Sequence, residues 1–326
     1  MITLPSEKAL ARQILEQNGR ASFEYYKLYP AKSYFFSNTR RCFIAYRTAL
    51  SVALCFGDPV GPEEEFESII TDFMHYCGDN GWNVAFMLAV SIPVYQRLGF
   101  HLLKMGEEAI VDLDQFVSHR VKRREFHRVL VRFDREGFTF VENKPPYSFS
   151  FMDELEEISN EWLSHKGRGE HSFAEGKFER SYLNQMLIYT LKNPSGQLVA
   201  FSNAIPSFVP GLCTVDLVRY RLGIAHGLMD YFYVKLLLLS KERGSFRYSL
   251  GMAPLAGTGI APRVRFEERI IHQFYEHFNR FYSFKGLRYH KAKFNPEWED
   301  RFLVYHGGLT GLAKSCLALG SLTKNQ

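Results

Sequence analysis

The sequence predicts a mixed α/β protein in which one structural plan is used twice. Three observations carry this expectation. Segments with helical apolar spacing alternate with short runs rich in β-branched and aromatic residues. The order helix, three strands, helix, strand, helix, strand occurs in the first half and again in the second. The two copies are separated at "ENKPPYS", where Pro145 and Pro146 end the preceding segment. The chain has 326 residues and 46% hydrophobic content. That is enough for two domains of about 150 residues.

Taken in order, the first half reads as helix 6–18, strands near 33–38, 42–47 and 49–56, and helix 63–78. Strand 83–90, a short helix 92–97 and strand 100–112 follow. The second half reads as helix 152–165, strands 186–192 and 197–206 joined by the turn "NPSG", strand 212–220 and helix 227–243. Strand 246–251, helix 263–280 and short strands near 281–284 and 300–305 complete it. The expected domains are 1–143, including a basic linker helix over 117–135, and 144–326, with the reaction centre in the second.

Composition excludes several classes. No apolar run approaches the ~18–20 residues that span a bilayer. The opening "MITLPSEKALARQ" has no apolar signal core, so a cytoplasmic setting is expected. The five cysteines form no CxxC pair and the eleven histidines no HExxH, so neither a disulfide scaffold nor a metal site is expected. The net charge of +5 suits an anionic partner.

The run "TVDLVRYR" (214–221) is the most informative. Asp216, Arg219 and Arg221 interrupt a segment that otherwise reads as a buried strand. On a regular strand Asp216 and Arg219 point to opposite faces, leaving one of them buried at a cost. A bulge, a device common beside active sites, would bring both to one cavity. The tail "FKGLRYHKAKF" adds Arg288, Lys291 and Lys293. On a strand Lys291 and Lys293 share a face; on a helix Arg288 and Lys291 do. The plainer readings are a structural Asp216–Arg219 ion pair and a solvated lysine face. In "HRVKRREFHRVLVR", Arg120, Arg124, Arg128 and Arg132 recur every fourth residue. On a helix this gives rungs about 6 Å apart, near nucleic-acid phosphate spacing. A solvated helix is the alternative. "LTGLAKSCLALGSL" (309–322) is an amphipathic segment expected to pack on its own domain.

The doubled plan resembles that of acetyl-CoA-dependent N-acetyltransferases (the GNAT fold), with "PVYQRLGF" (93–100) similar to their tyrosine-bearing helix. Their pyrophosphate sits at a helix N-terminus after the third strand. Here that position reads "GDPVGPEEEFES", whose prolines and carboxylates oppose a diphosphate. In the second half "RYRLGIAHGLMDYF" is a loose match. Stretches in order over nearly the whole chain resemble one family more specifically. They are "KSYFFSNTRRCFIAYRTALSVALCFGDPVGP", "DLDQF", "KRREFHRVLVRFDREGFTFVE", "EWLSHKGRGEHSFAEGKF", "VDLVRY", "MAPLAG" and "FYSFKGLRYHKAKFNPEWEDRFL". That family is the aminoacyl-phosphatidylglycerol synthases, including lysylphosphatidylglycerol synthases.

The resemblance implies tandem GNAT-like domains and transfer of an amino acid, lysine first and alanine second, from aminoacyl-tRNA to phosphatidylglycerol. It implies a position peripheral to the inner face of the cell membrane. It implies no cofactor beyond aminoacyl-tRNA as co-substrate, and catalytic Asp216 and Arg219. Arg221, Arg288, Lys291 and Lys293 would bind substrate, and the Lys-x-Lys pair is among the family's functional positions. Many members carry an N-terminal multi-span flippase, so the chain is either a stand-alone homologue or the catalytic part of a longer protein. Val218, where Met is common in Asp-Leu-Met-Arg, departs from the pattern. The alternatives are an acyl-CoA-dependent N-acyltransferase and a non-catalytic protein that binds tRNA or anionic lipid.

Overall fold

A computed structural model describes residues 4–30, 32–166, 176–254 and 284–324. They fall into two compact units. The first lies within Met1–Glu108, Met252–His290 and Trp298–Gln326, and the second within Ala109–Gly251 and Lys291–Glu297.

In the first unit, α1 (Pro5–Asn18) precedes β1 (Ser33–Phe36), β2 (Phe43–Ala49) and β3 (Val52–Phe56). Next come α2 (Phe66–Asp79), β4 (Asn83–Ala89), α3 (Ile92–Arg97) and β5 (His101–Asp112), whose last residues enter the second unit. The strands β1, β2 and β3 pair antiparallel, and β4 joins β3 in parallel. Phe66, Ile69, Ile70, Phe73 and Cys77 recur at helical spacing and all bury their side chains. They pack on Ile44, Tyr46, Ala53, Cys55 and Phe86 of the sheet.

In the second unit, α4 (Leu113–Gln115), α5 (Arg124–Glu136), β6 (Thr139–Asn143), α6 (Phe149–Lys166) and α7 (Arg180–Leu183) precede β7 (Ile188–Lys192) and β8 (Leu198–Ala204). Then follow β9 (Leu212–Tyr220), α8 (Leu228–Glu242) and β10 (Arg247–Pro254), the last leaving the unit after Gly251. The strands β6 to β9 are successively antiparallel, and β10 joins β9 in parallel. The "NPSG" turn closes with Asn193 N–H donating to the Gln197 carbonyl at 2.9 Å and Gly196 at φ +84°. Each unit therefore has the predicted mixed sheet flanked by helices, and three antiparallel strands, a helix and a parallel strand give the acetyltransferase-like plan.

Two expectations change, and one open choice is settled. The units are not the contiguous pieces 1–143 and 144–326. One edge strand of the second unit, β6, pairs with β7, which draws residues from 109 onward into it. From the far end of the chain, β11 (Glu297–Tyr305) pairs antiparallel with β4 and returns Trp298 and its successors to the first unit. The basic helix is not continuous over 117–135. A helical turn at Phe116–Arg120 and a break at 121–123 precede α5, which ends on Gly137 at φ +85°. Finally, α9 (Phe284–Ala292) is a helix, so Arg288 and Lys291 share its i,i+3 spacing while Lys293 lies beyond its end. Residues 309–322 lie in one long helix, α10 (Gly308–Lys324), which packs on β2, β3 and β4. The predicted helix 263–280 and residues 281–283 lie outside the described residues.

Candidate active site on the bulged strand

The pairing of β8 with β9 slips by one residue. Ala200, Phe201 and Ser202 oppose Tyr220, Arg219 and Val218, but Ala204 opposes Val215. Asp216 and Leu217 together therefore face the single residue Asn203, which is a β-bulge at the predicted place. Asn203 compensates for the broken ladder: its side-chain carbonyl accepts the Leu217 N–H at 3.1 Å.

The consequence is that Asp216 and Arg219 address one face of the sheet, the face covered by α6 and α7. Asp216 accepts hydrogen bonds from the Gly176 N–H (2.9 Å) and from the Tyr182 hydroxyl on α7 (2.8 Å). Arg219 is 8% exposed, and its guanidinium carbon lies 4.1 Å from the centroid of the Trp162 ring on α6. Stacking on indole holds a guanidinium in place while its edge remains a donor.

The other cations divide. Arg221 is bound to α6, donating to Glu161 (3.0 Å), Glu157 (3.2 Å) and the Leu198 carbonyl (3.1 Å). Lys291 is 6% exposed, and its Nζ lies 3.7 Å from where a side chain on Gly251 would begin. A side chain at 251 would begin in ordinary contact with that ammonium and be strained by the φ of +79°. Lys293 pairs with Asp230 in the first turn of α8 at 2.9 Å. Arg288 belongs to the first unit, where it pairs with Glu107 at 2.9 Å and stacks 4.4 Å from Trp298.

The arginine series also divides. Arg120, Arg124 and Arg128, with Arg123 and Glu125, line an open cavity of about 620 Å³. Arg120 additionally donates to the Lys293 carbonyl and pairs with Glu125. Arg132 turns away, donating to the His226 carbonyl ahead of α8 and stacking on Phe133.

In the first unit, the corresponding chemistry is closed off. Tyr95 is fully buried and donates to Asp58 at 2.9 Å, and Asp58 also accepts the Val90 and Ser91 N–H groups. Burial, reinforced by the Asp58 charge, pushes the Tyr95 hydroxyl well above the ordinary tyrosine range, against a role in proton transfer. At the start of α2, Glu63 pairs with Arg20, and Glu64 and Glu65 with Arg41. Tyr95→Phe is expected to cost about 1.5–3 kcal/mol of stability, the usual worth of a hydrogen bond to a charged group, and to leave the reaction rate unchanged. Thermal melting and an activity assay on the same sample check both halves.

Among the described residues no cluster of three or more His, Cys, Asp or Glu is placed to hold a metal ion. Tyr182, Asn203, Trp162 and Asp230 escape sequence reasoning. The one available signal was Asn203, a polar residue inside the apolar run "LVAFSNAI".

The geometry is that of a polar, partly buried cluster in an acetyltransferase-like unit. The family model for the C-terminal part of phosphatidylglycerol lysyltransferase matches residues 12–305, and the chain belongs to that family. A phosphatidylglycerol lysyltransferase of Staphylococcus aureus is 36% identical over 296 residues, covering 90% of this chain and 35% of the relative. One from Staphylococcus epidermidis is 36% identical over 276 residues, 84% of this chain and 33% of its own length. The chain thus spans about a third of the curated relatives it matches. The solved structure of L-PGS from Bacillus licheniformis is 30% identical, with a TM-score of 0.86 over 100% of this chain and 99% of that one.

Proposed function

We propose that the protein transfers a lysyl group from lysyl-tRNA to a head-group hydroxyl of phosphatidylglycerol at a membrane surface, with alanine the second candidate amino acid. Family membership supports the reaction class. The observation that carries the site is the β9 bulge, which turns Asp216 and Arg219 to one face of the sheet.

The chemistry exchanges one ester for another. The lipid hydroxyl oxygen attacks the aminoacyl carbonyl, the bond to the tRNA 3′ oxygen breaks, and the proton lost by the nucleophile ends on that leaving oxygen. No ATP is required. The site must orient the two hydroxyls, manage the proton and stabilise an oxyanion. Asp216 supplies the negative charge, for the hydroxyl proton or the amino acid's ammonium group. Arg219 and Lys291 supply the positive charge for the oxyanion or lipid phosphate. Arg120, Arg124 and Arg128 face the tRNA phosphates.

Incubating the protein with charged lysyl-tRNA and phosphatidylglycerol vesicles, followed by mass spectrometry of the lipid, tests this directly. A lysyl-phosphatidylglycerol product is expected; a folded protein that yields none sinks the reading. Alanyl-tRNA in a parallel reaction decides the amino acid. No helix among the described residues is long and apolar enough to cross a membrane.

A second prediction concerns the cavity arginines. Replacing Arg124 and Arg128 with Ala is expected to weaken tRNA binding and to lower the slope of log affinity against log salt by about 2, one per lost phosphate contact. Filter binding between low and moderate salt measures it. An unchanged slope would return these arginines to the role of a solvated face.

A further inference from the structure

The hydrogen bonds around the β9 bulge have fixed directions. The Leu217 N–H can only donate, so the Asn203 atom it meets at 3.1 Å is the amide oxygen. The amide nitrogen then donates to the Tyr182 oxygen at 2.9 Å. With its oxygen accepting from Asn203, Tyr182 directs its own proton to Asp216 Oδ2 at 2.8 Å. The Gly176 N–H donates to Oδ1 at 2.9 Å. Asn203 has no measurable solvent exposure, so water does not compete for its amide. The broken ladder at the bulge thus sets the direction of a chain that ends on Asp216.

We infer that Tyr182 and Asn203 are positioning residues for the transfer reaction. They act through Asp216, presenting it as an ionised acceptor with a fixed carboxylate plane. Asn203 is specified by this chain: one side chain must accept from Leu217 and donate to Tyr182, and an aspartate could not do the second. The inference rests on the proposed role of Asp216 and adds two residues to that site.

The test is a double-mutant cycle on lysyl transfer to phosphatidylglycerol vesicles, with Tyr182→Phe and Asp216→Asn alone and combined. Tyr182→Phe removes one oxygen atom and leaves the buried Asn203 N–H without its acceptor, so it is expected to stay folded but melt below wild type, and to lower kcat/KM for lysyl-tRNA by roughly ten- to hundredfold. In the Asp216→Asn background the same change is expected to cost nothing more. A merely structural Tyr182 would cost the same factor in both backgrounds, and that result overturns the inference. Asn203→Asp still satisfies the Leu217 N–H but cannot donate to Tyr182, whose hydroxyl then turns toward the new carboxylate. Its transfer rate is expected to fall with Tyr182→Phe; wild-type activity in either variant overturns the inference. A wild-type protein that transfers no lysine overturns the functional reading and this inference together. An active wild type with an additive cycle overturns the inference alone.

Discussion

Asp216→Asn is expected to leave the protein folded and to reduce lysyl transfer by about 10²–10⁴, the usual loss when an acid–base group is removed. The substitution keeps the shape of the side chain and removes its charge. It also changes the local hydrogen bonds. An asparagine carbonyl can still accept the Gly176 N–H, but its amide nitrogen would face the Tyr182 oxygen, which already accepts from Asn203. The tyrosine proton then lacks its acceptor, a cost of about 1–3 kcal/mol in stability. Melting and kinetics must therefore be measured together. A fall confined to kcat assigns Asp216 to proton transfer; a rise in KM for lysyl-tRNA with kcat preserved assigns it to holding the ammonium group. A folded Asp216→Asn protein with near-wild-type kcat/KM would remove Asp216 from the site altogether.

The bulge was legible because charge is expensive to bury. In a run as apolar as 212–220, an aspartate and an arginine three residues apart could not both be satisfied by a regular strand. Most helices and strands were legible for a related reason: the spacing of Phe66, Ile69, Ile70, Phe73 and Cys77 fits one helical face and no strand. What was not legible depends on distant partners. "TFVEN" is too short to announce a strand, and becomes β6 only because Ile188–Lys192 offers it an edge. The pairing of Phe302 with Ala89, which returns the C-terminal strand to the first unit, leaves no local trace. The tail "KGLRYHKAK" fits either periodicity, and the helix ends at Ala292, separating two lysines that alternation would have placed together. Asn203 and Tyr182 were missed because their importance lies in hydrogen-bond direction, which no residue spacing encodes.

The first unit contributes the other large effect, on stability. Lys27 has no exposed side-chain surface and pairs with Glu24, itself buried, at 2.6 Å; its Nζ also donates to the Asp58 carbonyl at 2.7 Å. Burial raises the Glu24 carboxyl above its ordinary value, and Lys27 is the strongest influence opposing that rise. Lys27→Met keeps an unbranched chain in the same space but strands the carboxylate, and removing one partner of a buried pair costs about 3–5 kcal/mol. The sign of the pH dependence follows. A carboxyl whose folded-state pKa lies above its unfolded value binds more protons when folded, so stability falls as pH rises between the two values. Without Lys27 the folded value climbs further and that window widens upward from the ordinary 4.5. The variant is therefore expected to lose more stability at pH 8 than at pH 5, because a carboxyl raised in the folded state binds a proton more readily as pH falls. Adding Glu24→Gln removes the charge at every pH, so the double variant should melt above Lys27→Met at pH 8 and lose the extra pH dependence. Urea unfolding of both at pH 5 and pH 8 measures this. If Lys27→Met lost equal stability at the two pH values, packing rather than the stranded charge would be the cause. The buried lysine would then have to be explained by its bond to the Asp58 carbonyl.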